Sequence, residues 1–281
     1  MSDTIDRYCV MGNPVEHSKS PWIHARFAEL TGERIDYGRK LIPLDGFAEG
    51  LRAWRAEGGR GCNITTPFKF EAFDAATVRT PRAELAGACN TLRFEAAGGI
   101  YGDNTDGVGL LRDIQRNAGV SLAGRDLLLV GAGGAAAGVL GPLIEAGPRR
   151  VVIANRTLEK AQALVERFAP LALLQKTELS AQSPSGLQAD FHVIVNATAS
   201  SLAGAGVPVA ASVLKPGALA VDMMYGPAAQ GFMDWAREHG AVPRDGLGML
   251  VEQAAESFFV WRGVQPPAAQ VLAELRATLA A

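Results

Sequence analysis

Asn63-Ile64-Thr65-Thr66-Pro67-Phe68-Lys69 sets an amide, two hydroxyls and an ammonium at the end of a strand-like run. Groups of this kind hydrogen-bond oxygen-rich ligands, and an ammonium offers three N–H donors. Taken singly, Lys69 reads as a solvated surface lysine. His17-Ser18-Lys19-Ser20-Pro21 places two hydroxyls just ahead of a helix. Ser20 reads as that helix's N-cap, which leaves Ser18 to reach a polyhydroxy or carboxylate ligand with help from the helix dipole. Gly87-Ala88-Cys89-Asn90-Thr91 and Gly102-Asp103-Asn104-Thr105-Asp106-Gly107 repeat the pattern, each ending a run with hydrogen-bonding side chains. Asp106 alone reads as a helix N-cap.

A second kind of chemistry follows the apolar run Leu127–Val130. Gly131-Ala132-Gly133-Gly134-Ala135-Ala136 comes directly after it, and a second strand-like run, Val151–Ile153, ends in Asn155-Arg156-Thr157. Glycine at the first position permits a tight turn, and at the second it lets backbone N–H groups approach a pyrophosphate. Ala136 at the third lets helix and strand pack closely. A glycine-rich turn alone also joins ordinary strands and helices. The order strand, glycine turn, small-residue helix, second strand points to a dinucleotide. Arg156 stands where an acidic residue would mark NAD, so the expected cofactor is NADP, with the guanidinium on the 2′-phosphate.

The elements that must position these groups alternate along the chain. Tyr8–Met11 reads as a strand closed by Gly12-Asn13-Pro14, and 21–30 as a helix with Pro21 in its first turn and Gly32 past its end. A strand around 40–42 precedes an amphipathic helix over 47–56, with Phe47, Leu51 and Trp54 on one face. Thr91–Phe94 and Ile100–Tyr101 flank Gly98-Gly99 as a hairpin. Val108, Leu111 and Ile114 give a helix over 105–117 that bridges two domains. Strands are then expected at 127–130, 151–153, 192–195 and 218–222, in a parallel sheet covered by helices, with ligands at the carboxyl ends. Leu250, Ala254, Phe258 and Trp261 share a face of a late helix stopped by Gly263, and Pro266-Pro267 starts another running to the C-terminus.

At 281 residues, 48% hydrophobic and 20% charged, the chain has the composition of a soluble globular protein of one large or two ordinary domains. A net charge of −2 gives no footprint for nucleic acid or an anionic membrane. Cys9, Cys62 and Cys89 form no CxxC pair, so neither a disulfide framework nor a metal site is indicated. The opening residues, Met1 to Arg7, lack the apolar core of a signal peptide, and a reducing cytoplasm is expected. The uncharged stretch 127–144 reaches the lower limit for a membrane span of about 18 residues. Its Gly/Ala-rich middle and Pro142 fit a buried strand feeding a buried helix instead.

Several of these motifs, in this order, resemble the shikimate dehydrogenase family. They are Asn-x-Thr-x-Pro-Phe-Lys, Gly-Ala-x-Asn-Thr, Gly-Asp-Asn-Thr-Asp-Gly, Gly-Ala-Gly-Gly-Ala and Asn-Arg-Thr. Asn196-Ala197-Thr198, Asp222-Met223-Met224-Tyr225 and the stretch from Asp245 to Ala254 continue the match, which runs from about Met11 to the C-terminus. The resemblance implies an α/β fold of two domains. Residues 1–105 and 246–281 would form the shikimate-binding domain and 106–245 a Rossmann-type NADP domain, with the active site in a cleft that can close. It implies that Lys69 and Asp106 are catalytic and that Ser18, Ser20, Thr65, Asn90 and Gln253 surround shikimate, with Tyr225 near it. Residues Gly131 to Ala136 (Gly131, Ala132, Gly133, Gly134, Ala135 and Ala136), Asn155, Arg156, Thr157 and Lys160 would hold NADP, together with Ala197, Thr198, Met223, Gly246 and Met249. Family members often carry arginine where this chain has Ala137 and Lys160; a lysine neutralises a phosphate without bidentate geometry.

The implied activity is reversible NADP-dependent reduction of 3-dehydroshikimate to shikimate, in the pathway to chorismate and the aromatic amino acids, by a cytoplasmic monomer or homodimer. An NAD-dependent quinate/shikimate dehydrogenase would keep the fold and the catalytic pair; Ser18, Ser20 and Arg156 speak against it. A non-catalytic dinucleotide sensor would not need both Lys69 and Asp106. NADPH oxidation with 3-dehydroshikimate separates the three.

Overall fold

The computed structural model describes residues 5–188, 190–198, 207 and 209–280. The opening residues 1–4, part of the stretch read for a leader, and residue 281, where the helix expected to run to the C-terminus would end, lie outside the described residues. The chain divides into two compact units: residues up to Gly109 together with those from Val251 onward, and the contiguous stretch Leu110–Leu250.

The first unit is built on β1 (Asp6–Gly12), α1 (Ser20–Thr31), β2 (Ile35–Leu41), α2 (Phe47–Ala56), β3 (Gly59–Ile64), α3 (Lys69–Ala75), β4 (Val78–Arg79), α4 (Pro81–Ala86), β5 (Thr91–Phe94) and β6 (Ile100–Asp103). Its sheet runs β2-β1-β3-β5-β6-β4. β1 lies parallel to β2 and β3, whereas β5 pairs antiparallel with β3 and with β6, so the expected hairpin is present with Phe94 opposite Ile100. Apolar side chains from β1, α2 and β3, among them Met11, Leu51, Trp54, Cys62 and Ile64, close one core with Phe68 and Leu92. Burial pushes the Cys89 thiol up to about 12 and raises those of Cys9 and Cys62 as well.

Ser20 does not cap α1, as the sequence had implied. It is the first helical residue, and the Ser18 hydroxyl accepts the Ser20 N–H at 3.2 Å. Pro21 fixes the first turn without needing a donor, so one hydroxyl two residues upstream suffices. Gly32, at φ 73°, ends the helix as expected.

His24 on α1 is fully buried, stacked on Tyr37 at 4.2 Å and 7°, with neither ring nitrogen hydrogen-bonded. Burial drives its pKa down to about 3, against roughly 6.5 in an unfolded chain. Between those values the unfolded state binds a proton that the folded state refuses, so stability falls as pH drops below about 6.5. Going from pH 7 to pH 5 should cost about 2 kcal/mol through this one residue. Urea unfolding at both pH values measures it. His24→Phe should shrink the pH 5 penalty, and an unchanged penalty would assign it to other groups.

The second unit comprises β7 (Asp126–Val130), α6 (Gly134–Glu145), β8 (Arg150–Ala154), α7 (Leu158–Gln175), β9 (Glu178–Gln182), β10 (Phe191–Asn196), β11 (Leu214–Asp222), α8 (Gln230–Glu238) and β12 (Val242–Arg244). Every pairing is parallel, in the order β12-β11-β10-β7-β8-β9. Counted from β7 this is the doubly wound order 3-2-1-4-5-6, whose switch point falls between β7 and β10. β7, β8 and β10 are apolar nearly throughout because helices cover both faces. The uncharged stretch tested for membrane insertion is β7 with α6, and no described helix is long and apolar enough to cross a membrane.

Two helices carry the chain between units. The helix expected over 105–117 is α5 (Asp106–Arg112), continued as a π-helical turn over Asp113–Asn117 in which the Ala118 N–H bonds the Asp113 carbonyl. The chain returns in α9 (Leu247–Arg262), closed by Gly263 at φ 70°, and ends in α10 (Ala268–Ala280).

Candidate active site

In the first unit the polar groups converge where β3 and β6 end. Lys69 opens α3, just after β3, and its Nζ donates to Asp106 Oδ2 at 2.5 Å. Lys69 keeps 23% side-chain exposure against 8% for Asp106, so the ammonium faces outward over a buried carboxylate. Asp106 is the first residue of α5 but not its cap: Asn104 Oδ1 accepts the Asp106 N–H at 3.2 Å, which frees both carboxylate oxygens. Asp106 Oδ1 accepts from Asn90 Nδ2 at 2.8 Å, and the same amide donates to Gln253 Oε1 at 3.3 Å. Lys69, Asp106, Asn90 and Gln253 thus form one hydrogen-bonded group.

Gln253 reaches this group because Gly109 lets α9 approach α5. A Cβ at Gly109 would lie 2.6 Å from the Gln253 Cβ and 2.7 Å from its backbone nitrogen. Thr65, half-buried, follows β3, with its N–H on the Met11 carbonyl at 2.9 Å. Ser18 and Ser20 lie in the segment that leaves β1 and begins α1; Ser20 is buried and Ser18 half-buried. The bond between the Ser20 N–H and the Ser18 hydroxyl is local, and among the described residues neither serine hydrogen-bonds the Lys69 group.

The polar support beneath this group was only partly legible. Asn63 Nδ2 donates to the Asn90 carbonyl, to Thr91 Oγ1 and to Ser257 Oγ, while its Oδ1 accepts from the Tyr37 hydroxyl at 2.7 Å. Thr105 N–H donates to Asn90 Oδ1 at 2.9 Å and fixes that amide's orientation. The sequence marks Asn63 only as an amide near a strand end. Ser257 carries no signal in the sequence, being a single polar residue on a helix.

In the second unit the remaining residues gather at the carboxyl ends of the parallel strands. Gly131 follows β7 at φ 109°, and a Cβ there would lie 3.1 Å from the Ala197 carbonyl oxygen. Only glycine makes that turn without strain. α6 opens after Gly133 with no side-chain cap, so its first N–H groups, from Gly134, Ala135 and Ala136, are available to an anion. Ala132 is half-buried beside them.

Asn155 follows β8, the neighbour of β7, and its Nδ2 holds the Thr157 carbonyl at 2.8 Å. Arg156 and Lys160 are exposed and make no ion pair among the described residues. Ala197 and Thr198 follow β10, with the Thr198 hydroxyl on Asn196 Oδ1 at 2.7 Å. Met223 follows β11 and Tyr225 comes two residues later, half-buried, its phenol pKa raised by burial. The Gly246 N–H bonds the Met224 carbonyl at 2.8 Å, and Met249 is buried in the first turn of α9. A glycine turn at the switch point, an open helix N-terminus and two unpaired cations beyond the adjacent strand fit a phosphorylated dinucleotide.

Residues 10–92 match the model of the shikimate dehydrogenase substrate binding domain, 113–215 that of shikimate / quinate 5-dehydrogenase, and 246–276 that of the shikimate 5′-dehydrogenase C-terminal domain. The shikimate dehydrogenase (NADP(+)) of Verminephrobacter eiseniae is 67% identical over 276 residues, covering 98% of this chain and 96% of that one. The chain belongs to the shikimate dehydrogenase family. Among solved structures, shikimate dehydrogenase from Aquifex aeolicus is 30% identical with a TM-score of 0.84, covering 98% of each chain. Shikimate 5-dehydrogenase from Thermus thermophilus, in complex with NADP(H) and shikimate, is 32% identical with a TM-score of 0.85, covering 97% of this chain and 99% of that one. The two α/β units are those of the shikimate dehydrogenase fold.

Proposed function

We propose that this member of the shikimate dehydrogenase family reversibly reduces 3-dehydroshikimate to shikimate with NADPH as the hydride donor. The observation that carries the reading is the Lys69–Asp106 pair, 2.5 Å apart and joined through Asn90 to Gln253. NADPH, when bound, supplies the hydride for the ketone carbon. Lys69 meets the negative charge that develops on the carbonyl oxygen and gives it a proton, and is reprotonated from solvent. Asp106 holds the ammonium in place and hydrogen-bonds the new hydroxyl; in the reverse direction Lys69 takes the proton back.

Ser18, Ser20, Thr65, Asn90 and Gln253 are neutral hydrogen-bonding groups, suited to a carboxylate and several ring hydroxyls, and Tyr225 completes the substrate set. In this reading the first unit takes shikimate and the second takes NADP. The pyrophosphate lies on the Gly131–Ala136 turn and the 2′-phosphate against Arg156 and Lys160, with Asn155, Thr157, Ala197, Thr198, Met223, Gly246 and Met249 around the cofactor. The free, buried state of all three cysteines fits a reducing compartment, so we place the enzyme in the cytoplasm, as a monomer or homodimer.

The test is loss of NADPH absorbance on adding 3-dehydroshikimate. Oxidation of NADPH well ahead of NADH is expected, and no oxidation of either cofactor overturns the reading. Substrate binding has its own check. Ser18→Ala should weaken shikimate binding by about 1–3 kcal/mol, because a ligand polar group is left buried and unpaired. The dissociation constant of NADP should stay put. Unaltered shikimate kinetics would return Ser18 to a local role on the Ser20 N–H.

A further inference from the structure

A three-member ion cluster lies directly behind the Lys69 group. Arg82, on α4, donates from Nε to Asp103 Oδ1 at 2.7 Å and from Nη2 to Asp103 Oδ2 at 2.5 Å. The same Nη2 donates to Glu256 Oε1 at 3.0 Å. Asp103 is 1% exposed, yet its Oδ1 also accepts from the Thr80 hydroxyl at 2.6 Å and from the Asn104 N–H at 2.7 Å. Each carboxylate in this cluster leads to a residue of the proposed active site. Asp103 holds Asn104, whose Oδ1 takes the Asp106 N–H and whose Nδ2 bonds the Ala88 carbonyl at 3.0 Å. The Asp103 carbonyl accepts the Asn90 N–H at 3.0 Å. Glu256 lies three residues beyond Gln253 on α9, close to the same helix face.

We propose that Arg82 is a positioning residue that fixes the Asp106 loop and the Gln253 helix relative to one another through one guanidinium shared by Asp103 and Glu256. The proposal rests on the functional reading above. An arginine is required because its planar fork engages one carboxylate bidentately and still reaches a second, whereas a lysine is a single point charge. Two buried carboxylates behind an active site are costly to desolvate and repel each other. The shared guanidinium offsets both effects at a place where register matters. Displacing a reacting group by about 1 Å can cost on the order of 10²-fold in rate, so a guanidinium three hydrogen bonds from Asp106 is placed to matter. A cavity of about 590 Å³, lined in part by Arg82, Tyr101, Asp103 and Glu256, lies beside the cluster, and the Arg82 side chain keeps 27% exposure through it. A small planar cation can therefore reach the place a shortened side chain would leave.

The test is steady-state kinetics of Arg82→Ala and Arg82→Lys with shikimate and NADP, with and without added guanidinium. Arg82→Ala should lose about 10²-fold in kcat/KM for shikimate, from misplaced reacting groups, with the KM for NADP unchanged. Millimolar guanidinium should restore a large part of that loss, and sodium chloride at equal ionic strength should not. Arg82→Lys should recover less than the guanidinium-treated Ala variant. Near-normal constants for Arg82→Ala, or equal losses toward both ligands without any response to guanidinium, overturn the proposal.

If Arg82→Ala does not fold, the isosteric pair decides. Glu256→Gln should raise the shikimate KM while sparing kcat, and Asp103→Asn should lower kcat while sparing the KM for NADP. Wild-type constants in both variants overturn the clamp. A wild-type enzyme that turns over shikimate while the variants are unaffected sinks the clamp alone. A wild-type enzyme without turnover sinks the functional reading and the clamp with it.

Discussion

Lys69→Ala should lose about 10²–10⁴-fold in kcat, the usual contribution of general acid–base catalysis, while still binding NADPH. Among the described residues the ammonium is the cation hydrogen-bonded to Asp106, and its partial exposure leaves N–H donors free for a substrate oxygen. Asp106→Asn should also lose kcat, because an amide cannot hold the ammonium by charge. The two effects should overlap. With the pair acting as one unit, the double variant should fall little below the worse single one. Single-turnover and steady-state rates, with circular dichroism to confirm folding, give the answer. A folded Lys69→Ala enzyme with near-normal kcat removes the proton-donor assignment.

Arg156→Ala should raise the KM for NADPH by about 10- to 150-fold and leave NADH nearly unaffected. The range corresponds to one charge-assisted hydrogen bond of about 1.5–3 kcal/mol to the 2′-phosphate. Arg156 is exposed beyond the end of β8 and makes no ion pair among the described residues, so nothing within the chain competes for it. Lys160, in the first turn of α7, is exposed as well and should sustain part of the preference. Equal losses with both cofactors would show that Arg156 does not read the phosphate.

The elements with a strong period and a marked end were readable in advance. α2 spans the residues that the spacing of Phe47, Leu51 and Trp54 demands, and the hairpin around Gly98 has the expected partners. β7, the glycine turn and β8 follow from an apolar run, a forced φ and a second apolar run. The short strands were not legible: β4 has two residues, β12 has three including Pro243, and β9 is half polar. Each of these pairs on only one side of its sheet, so no alternation or apolar run marks it. At the site, Ser20 is the first residue of α1 rather than its cap and its N–H goes to the Ser18 hydroxyl, while Asn104 accepts the Asp106 N–H where Asp106 itself was expected to cap. Arg82 was invisible for a different reason. Its partners lie 21 and 174 residues away, and no local pattern records a contact of that separation.

The placement of α9 and α10 has a consequence for synthesis. The first unit is discontinuous: Arg26 pairs with Glu274 at 2.7 Å, Asn63 bonds Ser257 at 3.0 Å, and Arg262 bonds Glu33 at 2.6 Å, all across the inserted stretch Leu110–Leu250. The second unit holds its whole sheet within one uninterrupted stretch and can close as soon as that stretch has left the ribosome. Bringing together the ends of an open loop of that length costs about 4 kcal/mol in chain entropy. The first unit, though begun first, has no Ser257 for Asn63 and no Gln253 for Asn90 until the final helices emerge. Helices translated after the second unit complete the site that the first strands began, so a nascent chain stalled before α9 would carry the whole nucleotide-binding sheet and a substrate site still lacking Gln253 and its Ser257 support.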